Sequence, residues 1–431
     1  MRETENLHFK FTSRLSLSLS ASFAFDLRGA KLFIIFKMDA RSKQGDASPI
    51  VVVDYGNKNN VFAGYANAMQ PTSVNSEVRE IASTTTTTTA EEEEKEEKKS
   101  ETINAVSSDR RVDSFDAMKC VFEELVYSNF GWIKEEDESS SYLQTGRNVF
   151  VVEPILCSRR ERERMCQMLF EEFRVSGYAS ENAAVCALAG VGRLNGISVD
   201  VGAETVDCAT VSDGKVVEST CRRIEGGGER CLEKASTTIR EGKEVYDQME
   251  RWEKRIVNRH LARVRWSADD GENSGGDEME SYELPDGNKI SVERNCAFAM
   301  GDALYCSPSS IVEIIQSAVE NAFSHAQAGH FFSHGKENAF ECVVAHGTES
   351  SVKGLRERLR EDIRAKVAPE SAKVNVVSSA PDYLHERSME HLSWTGGAIL
   401  GKVTWNLNQQ ISKSAYDEFG PNVANRNRCS F

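Results

Sequence analysis

The stretches Ile50-Val-Val-Val-Asp54-Tyr-Gly56 and Ile197-Ser-Val-Asp200-Val-Gly202 share one pattern, and each half of the chain contains one of them. In each, a short β-branched segment, which is typical of a buried strand, is followed by Asp-x-Gly. A strand that turns sharply at glycine exposes backbone N–H groups that can bind a phosphate, and the aspartate can hold the water shell of a magnesium ion. Taken singly, such a pattern is usually only a turn. Its repetition suggests two duplicated lobes that face one nucleotide.

Other segments alternate between strand and helix character. Short apolar runs predict buried strands at 149–152, 206–211 and 342–345, and apolar spacing predicts helices at 159–173, 309–323 and 352–367. The first of these helices carries interleaved arginines and glutamates, which we interpret as solvated ion pairs rather than as a basic recognition surface. The alternation predicts an α/β layered fold.

Composition limits the function classes. The chain has 431 residues and a net charge of -15, which argues against direct binding to nucleic acid because that affinity comes mainly from Lys and Arg. No apolar run approaches the roughly 20 residues that a membrane helix needs, so we expect no membrane partner. The 11 cysteines include no CxxC pair, which indicates free thiols rather than a zinc ribbon or a disulfide framework.

Two regions are not expected to join the folded core. Residues 1–47 form an N-terminal extension, which we expect to be disordered or to result from an over-extended reading frame, with Met38 as the alternative start. A targeting peptide is the other interpretation, although Glu3, Glu5 and Asp26 argue against it. Residues 83–101 read STTTTTTAEEEEKEEKKSE, and this composition predicts a disordered acidic insert at about 71–112.

Longer motifs resemble the actin family. Tyr282-Glu-Leu-Pro-Asp-Gly287, Trp394-Thr-Gly-Gly-Ala-Ile-Leu400 and Ile411-Ser-Lys-Ser-Ala-Tyr-Asp-Glu-Phe-Gly-Pro421 are similar to actin segments in order and spacing. The resemblance implies an α/β, actin-like two-lobed fold, with duplicated RNase H-like sheets flanked by helices and a nucleotide cleft between the lobes. It places the first lobe at 48–190, the second at 191–391, and a segment that returns to the first lobe at 392–431.

Within the family, several motifs are more similar to the plant nuclear actin-related proteins than to conventional actin. Among them are Phe115-Asp-Ala-Met118, Tyr178-Ala-Ser-Glu181 and Gly397-Ala-Ile-Leu-Gly-Lys-Val403. We therefore identify the chain with that branch, in particular with its class seven.

The resemblance also implies a site for ATP with magnesium. The positions that match the family's cofactor-binding residues are Asp54, Gly56, Asn57, Lys58, Asp200, Gly202, Thr205, Gly347 and Thr348. Asp54 and Asp200 would bind the metal through water.

The surrounding loops depart from the family pattern. The phosphate-binding lysine expected after the first turn is absent, and Lys58 can replace it only in part. In the second loop Ala203-Glu204 puts a carboxylate where phosphate would lie. In the third loop His346 replaces a glycine, and its side chain would restrict close approach of the backbone to the nucleotide. Like charges repel, so the pattern predicts at most weak ATP binding.

Hydrolysis needs a polar group that orients the attacking water. The family's glutamine falls at Asn182 or Ala183, and its histidine falls at Asp207. The sequence therefore predicts no catalytic residues and negligible ATPase activity, so we expect the protein not to be an enzyme.

The contacts that build filaments are altered as well. The segment that corresponds to the small outer lobe is rich in Thr and Glu, and a hydrophobic loop after Leu304 is shortened or missing. We expect a monomer.

The resemblance implies a nuclear protein, with the cytoplasm as a second location. The sequence contains no compact basic run of the kind that directs nuclear import, so the import route stays open. It would act as a structural subunit of a chromatin-remodelling complex, with a long helix of the remodelling ATPase and another actin or actin-related protein as partners. The helix would bind in a groove bordered by Tyr178, Met389, Leu392, a strand at Trp394 and the C-terminal segment, although Trp394 fits core packing at least equally well.

Three alternatives stay open at this point. The chain could be an active magnesium-dependent ATPase of the actin, Hsp70 and sugar-kinase superfamily. It could be a cytoskeletal actin-like protein, or a decaying duplicate whose cleft no longer closes.

Overall fold

The computed structural model describes residues 22–26, 31–35, 49–56, 58, 60–75, 77–79, 102–132, 147–266, 279–306, 310–324, 337–377, 379–384 and 386–426. The chain divides into two units, Met1–Asp46 and Ala47–Phe431. In the first unit, strands Ser22–Asp26 and Lys31–Ile35 pair as an antiparallel hairpin. The remainder of the predicted extension at 1–47 lies outside the described residues.

The second unit contains two six-stranded sheets. The first sheet has the strand order Ile411–Ser412, Gly177–Asn182, Asn148–Glu153, Ile50–Asp54, Asn60–Tyr65, Thr72–Asn75. The second has the order Lys215–Val216, Thr205–Ser212, Gly196–Val201, Val343–His346, Val376–Val377, with Arg222–Glu225 also paired to Thr205–Ser212. All five strands predicted from apolar runs are present.

The two sheets repeat one topology. In the first sheet, Ile50–Asp54 pairs antiparallel with the strand that follows it and parallel with Asn148–Glu153, which is parallel to Gly177–Asn182. In the second, Gly196–Val201 pairs antiparallel with its successor and parallel with Val343–His346, which is parallel to Val376–Val377. The predicted duplication is therefore present, with Asp54 and Asp200 at corresponding strand ends.

Side-chain alternation along the strands explains how the layers pack. Val51 and Val53 belong to a core that serves only the first lobe, whereas Val52 belongs to a middle core. In the second sheet, Val343 and Ala345 face the second lobe's own core and Val344 faces the middle one. Successive side chains of a strand point to opposite faces, so both sheets are apolar on two sides and their strands read as continuous apolar runs.

Helices cover both sheets and fill the space between them. The described helices are Phe115–Glu123, Arg159–Glu171, Ala183–Gly190, Gly227–Thr238, Lys243–Gln248, Arg251–Leu261, Arg294–Cys306, Ile311–Ser324, Glu337–Phe340, Leu355–Lys366, Leu392–Asn406, Lys413–Phe419 and Val423–Arg426. A π-helical turn, Glu124–Asn129, continues the first, and 3₁₀ turns lie at Glu218–Thr220 and Glu386–Met389.

The helix Arg159–Glu171 shows how sequence sets local structure. The Ser158 side chain accepts a hydrogen bond from the Glu161 N–H and so caps the helix. The ion-pair expectation needs one correction: Arg162 is only 3 % exposed, and its Nε donates to both carboxylate oxygens of Glu153 at 2.8 Å. Its Nη1 donates to Asn425 Oδ1 at 2.9 Å, which fastens the C-terminal segment to the first lobe.

The Trp394 segment was expected to be a strand, and this expectation is wrong. It begins the helix Leu392–Asn406, which packs between the sheets against Ala183–Gly190. A Cβ at Gly396 would lie 1.6 Å from the carbonyl oxygen of Cys186, so glycine is what allows the two helices to approach so closely. Tertiary packing overrides the low helix propensity of the glycines.

The insert expected to be disordered at 71–112 is structured at both ends. Thr72–Asn75 adds a strand to the first sheet, and Glu77–Arg79 pairs with Thr102–Asn104. Ala105 and Val106 are fully buried in the first lobe's core. The prediction does not apply to these ends because their strands pair through the backbone and because Ala105 and Val106 are buried. Residues 80–101 lie outside the described part.

The Tyr282 motif forms a hairpin between strands Met279–Glu283 and Lys289–Glu293. Gly287 adopts φ +86° in its turn, a conformation that favours glycine. Within the described residues, every helix is too short or too polar to cross a membrane.

Candidate functional site

The two Asp-x-Gly turns meet at one cleft. Asp54 and Asp200 both line it because their strands end at corresponding edges of the two sheets. The third loop, after strand Val343–His346, closes the cleft from the side. Of the nine residues predicted to bind a cofactor, eight line this cleft: Asp54, Gly56, Lys58, Asp200, Gly202, Thr205, Gly347 and Thr348. Asn57 lies outside the described residues.

Two of the glycines lie at close contacts in the cleft. Gly347 has φ +94°, and a Cβ there would lie 2.1 Å from Asp200 Oδ1. A Cβ at Gly202 would lie 2.2 Å from a guanidinium nitrogen, Nη2 of Arg110. The third loop therefore packs closely against Asp200, and Arg110 packs closely against the second loop.

Arg110 is the main residue of the cleft that the sequence did not reveal. Its Nη1 lies 2.5 Å from Asp200 Oδ2 and 3.3 Å from Asp207 Oδ2, and its Nη2 donates to the Thr205 carbonyl oxygen at 3.2 Å. The whole residue is 8 % exposed. A buried cation is thus bound to one of the two carboxylates expected to hold magnesium.

A second arginine supports this arrangement. Arg223 donates from Nε and Nη2 to the two carboxylate oxygens of Asp207, at 2.6 and 2.7 Å, and from Nη1 to the carbonyl oxygen of Asp109. Such paired contacts are the strong form of the arginine–carboxylate interaction. Asp207, which stands where the family has a histidine, is therefore bound by two arginines.

The charges shift the acids in opposite directions. Removal from water raises the pKa of Asp54 to about 6, and the neighbouring charge of Asp200 adds to the rise. Removal from water would also raise the pKa of Asp200, but the contacts with Arg110 outweigh it and leave that pKa below its ordinary value. Asp200 is therefore a carboxylate held by a guanidinium, whereas burial holds the pKa of Asp54 well above the ordinary value of an aspartate.

The second loop is fastened by backbone hydrogen bonds. The carbonyl oxygens of Gly202, Ala203 and Glu204 accept from the N–H groups of Gly228, Glu229 and Gly226, at 3.0, 2.7 and 2.6 Å. These donors lie at the start of the helix Gly227–Thr238, so N–H groups that could have bound an anion are already used.

Glu204 lines the cleft as the sequence predicted. Its carboxylate lies 3.9 Å from Lys58 Nζ and 3.8 Å from Arg255 Nη2. Lys58 therefore contacts the second loop instead of standing alone as a phosphate-binding charge. The carboxylate is partly neutralised, yet it remains an acceptor-only group at the mouth of the cleft.

His346 does not obstruct the cleft in the expected way. Its Nε2 lies 2.8 Å from Ser198 Oγ on the neighbouring strand, and burial lowers the pKa of the ring below its ordinary value. His346 is a neutral core residue. The crowding predicted at this position comes from Arg110 instead.

The residues present do not fit a magnesium-bound triphosphate. The cavity between the loops is about 50 Å³, small beside the roughly 300–1,000 Å³ of ordinary ligand sites. Within the described residues no group of three or more His, Cys, Asp or Glu side chains is placed to hold a metal ion. One feature favours a ligand: the Thr205 and Thr348 hydroxyls are buried and have no hydrogen-bond partner within the described structure.

The positions expected to orient water carry other roles. The Asn182 Oδ1 accepts from the Ala184 N–H at 3.0 Å and caps the helix Ala183–Gly190. Ala183 lines the cleft but has no polar side chain. Neither residue offers a group suited to activating a nucleophile.

The predicted partner groove needs a correction. Tyr178, Met389, Leu392 and Trp394 are each at most 4 % exposed, and Trp394 Nε1 donates to the Val52 carbonyl oxygen at 3.1 Å. Tyr178 lies in the first lobe's own core, and Met389, Leu392 and Trp394 lie in the middle core between the sheets, so these side chains cannot border a docking groove. For Trp394 the core-packing interpretation is confirmed.

The sequence gives little indication that Arg110 lies in the cleft. Its signal is a pair of arginines, Arg110-Arg111, at the C-terminal end of the insert predicted at 71–112. Only the fold shows that one of the pair enters the cleft while the other, with 57 % of its side chain exposed, stays at the surface.

Comparisons with known proteins agree with this architecture. A family model described as Actin matches residues 45–430. Actin-related protein 7 of Arabidopsis thaliana is 26 % identical over 386 residues, covering 88 % of this chain and 94 % of the relative. Actin-related protein 7 of Oryza sativa, subspecies indica, is 27 % identical over 335 residues, covering 73 % and 83 %. These matches confirm the actin-like fold and the similarity to class-seven actin-related proteins that the motifs indicated.

Proposed function

The chain belongs to the actin family, and from this premise we propose that it is a non-polymerising nuclear subunit of a chromatin-remodelling complex. In this role it supplies a rigid two-lobed shape, while the partner ATPase performs the chemistry. The protein binds ATP weakly at most and does not hydrolyse it.

One observation carries the proposal. Arg110 binds Asp200 and Asp207 from across the cleft, so the two lobes are joined by side chains of the chain itself. A protein that keeps its lobes together in this way has no need of a nucleotide cycle to hold its shape. Asn182, whose side chain caps a helix, and Asp207, which is bound by arginines, support the absence of hydrolysis because neither is placed to orient water.

Sequence similarity to known proteins supports the proposed function. Relatives that match most of the chain are actin-related proteins of class seven, and the sequence resembles the plant nuclear branch. We propose a long helix of the remodelling ATPase and a second actin or actin-related protein as partners. The contact surface must lie outside the buried Tyr178, Met389, Leu392 and Trp394.

The proposal is tested by affinity purification of the tagged protein from nuclear extract, with mass spectrometry of what co-purifies. We expect a remodelling ATPase and another actin-family subunit at near-stoichiometric levels. Recovery of filamentous actin and cytoskeletal proteins alone would contradict it and favour the cytoskeletal alternative.

The alternative of an active ATPase is tested on the purified protein. We expect magnesium-dependent turnover to stay at the background level, with no difference between the natural chain and Asp200→Ala. Turnover that is measurable and disappears in Asp200→Ala would assign the activity to the cleft and exclude a purely structural role.

A further inference from the structure

Arg110 lies on a turn that is built into the first lobe. Val106 and Val112 pair across the base of the turn, and the Arg110 N–H donates to the Ser107 carbonyl oxygen at 3.0 Å. The Val112 N–H donates to Glu161 Oε1 at 2.9 Å, which fixes the turn to the helix Arg159–Glu171. The position of the guanidinium is therefore set by the first lobe.

The partners of that guanidinium belong to the second lobe. Asp200 ends the strand Gly196–Val201, and Asp207 and Thr205 lie on the antiparallel strand that follows it. Arg223, also of the second lobe, returns the contact by donating to the Asp109 carbonyl oxygen. Two arginines thus connect the lobes in both directions.

The local backbone is shaped around this arginine. Arg110 has φ +57°, which is uncommon for a residue other than glycine. Gly202 provides room for the guanidinium, since a Cβ there would lie 2.2 Å from Nη2. The fit involves both lobes, so it is a property of the folded cleft and not of a surface side chain that happens to fall across it.

The charges near the guanidinium are close to balanced. Asp54, Asp200 and Asp207 interact with Arg110, and Arg223 supplies a second positive charge at Asp207. Asp54 is partly buried and lies close enough to Asp200 for the two charges to interact. Asp54 and Asp200 lie at the facing ends of two strands, and Asp207 lies opposite Asp200 on the following strand. These three carboxylates would repel one another without a cation.

We propose that Arg110 is a built-in cation which takes the place of a divalent metal between the two Asp-x-Gly turns, so that the lobes stay joined without magnesium. This inference concerns the cleft alone and does not rest on the proposed nuclear role. It makes a distinctive claim: removal of the guanidinium should create a magnesium site that the natural chain lacks.

Thermal unfolding of the full-length protein in millimolar MgCl2, in EDTA, and in NaCl of matched ionic strength tests this. The natural chain should melt at the same temperature in all three. Arg110→Ala should melt roughly 5–10 °C lower in EDTA, because carboxylates are left without their partner, and MgCl2 should restore part of the loss by binding the folded state. Arg111→Ala is the matched control and should behave like the natural chain.

Two further variants separate charge from shape. Arg110→Lys keeps a cation but loses the planar fork, so it should melt lower than the natural chain and still ignore magnesium. Arg110→Ala combined with Asp200→Asn should lose the magnesium response and recover stability relative to Arg110→Ala alone.

Several results would overturn the proposal. One is stabilisation of the natural chain by magnesium relative to EDTA, a measurement that holds even if Arg110→Ala does not fold. A second is that Arg110→Ala melts at the same temperature as Arg111→Ala. A third is that the melting temperature of Arg110→Ala rises no more in MgCl2 than in NaCl. A fourth is that magnesium raises the melting temperature of Arg110→Lys as much as that of Arg110→Ala.

Discussion

Glu349 is a carboxylic acid buried beside the third loop of the cleft, with 3 % of its surface exposed. Arg259 Nε lies 3.8 Å from Glu349 Oε2, and Arg259 Nη1 lies 3.2 Å from Glu390 Oε2, so one arginine serves two acids. Burial raises the pKa of Glu349 to about 7, because the opposing effects of Arg259 and Arg255 are smaller. Its ionised form is therefore unfavourable in the folded protein.

The raised pKa of Glu349 predicts a pH dependence of stability. Between its ordinary pKa of 4.5 and the folded value of about 7, the folded state binds more protons than the unfolded state, so its contribution falls as pH rises and the penalty is complete above about pH 7. Glu349→Gln removes the penalty. At pH 8 its free energy of unfolding should exceed that of the natural chain by roughly 1–3 kcal/mol, and at pH 5 the difference should shrink. Urea denaturation at both pH values measures this.

Glu390→Gln is the matched control for that experiment. It alters the same arginine, but the Glu390 side chain is 23 % exposed. We expect its effect to be small and similar at pH 5 and pH 8. A gain at pH 8 as large as that of Glu349→Gln would assign the effect to the charge of Arg259 rather than to the burial of Glu349.

At single positions the sequence predicted which residues meet at the cleft, but not which side chains pair with their charges. The Asp-x-Gly pattern and the family resemblance predicted that Asp54, Asp200 and Gly347 lie at one cleft. This was possible because strand ends and glycine turns can be recognised from the local sequence. Arg110 could not be found this way, since its role depends on a turn at the end of a low-complexity segment whose direction only the fold determines. The burial of Glu349 likewise depends on helices that lie distant in sequence.

Among the elements, the helix Leu392–Asn406 depends most on its glycines. A Cβ at Gly396 would lie 1.6 Å from the backbone oxygen of Cys186, which cannot move without shifting the helix Ala183–Gly190. Gly396→Ala should therefore destabilise the protein by roughly 2–4 kcal/mol in spite of alanine's better helix propensity. The midpoint of urea unfolding measures the loss.

Gly401 provides a control in the same helix. A Cβ there would meet Phe150 atoms at 3.5 Å and beyond, which is ordinary contact. Gly401→Ala should be neutral or stabilising by up to about 1 kcal/mol, because only the propensity changes. Equal destabilisation by both substitutions would show that the helix does not pack as described.

This helix also shows where element prediction fails. Its first half reads Trp394-Thr-Gly-Gly-Ala-Ile-Leu400, a short apolar run with two glycines, and such a run does not distinguish a strand from a buried helix. The strands at Ile50–Asp54 and Gly196–Val201 were predictable because each is rich in β-branched residues and is followed by a glycine turn. A helix that is buried on almost every side lacks the exposed polar face whose periodicity would identify it.

Over the whole molecule, the two lobes share a core. Val52, Phe150 and Val152 of the first sheet lie in one cluster with Ala209 and Val344 of the second. The helices Ala183–Gly190 and Leu392–Asn406 fill the space between them. A lobe that unfolded alone would expose this middle core of its neighbour to water.

The shared core therefore predicts that the lobes unfold together. Leu359 is fully buried in the core that serves only the second lobe, and Leu359→Ala should cost roughly 2–5 kcal/mol. Native-state hydrogen exchange should record that loss equally in the slowest amides of Asn148–Glu153 in the first lobe and of Thr205–Ser212 in the second, because both exchange through global unfolding. Phe122→Ala, buried in the first lobe's own core, is the reciprocal variant and should lower protection in both strands as well. A loss confined to the mutated lobe would show that the lobes open separately, and would favour a decaying duplicate over a rigid scaffold.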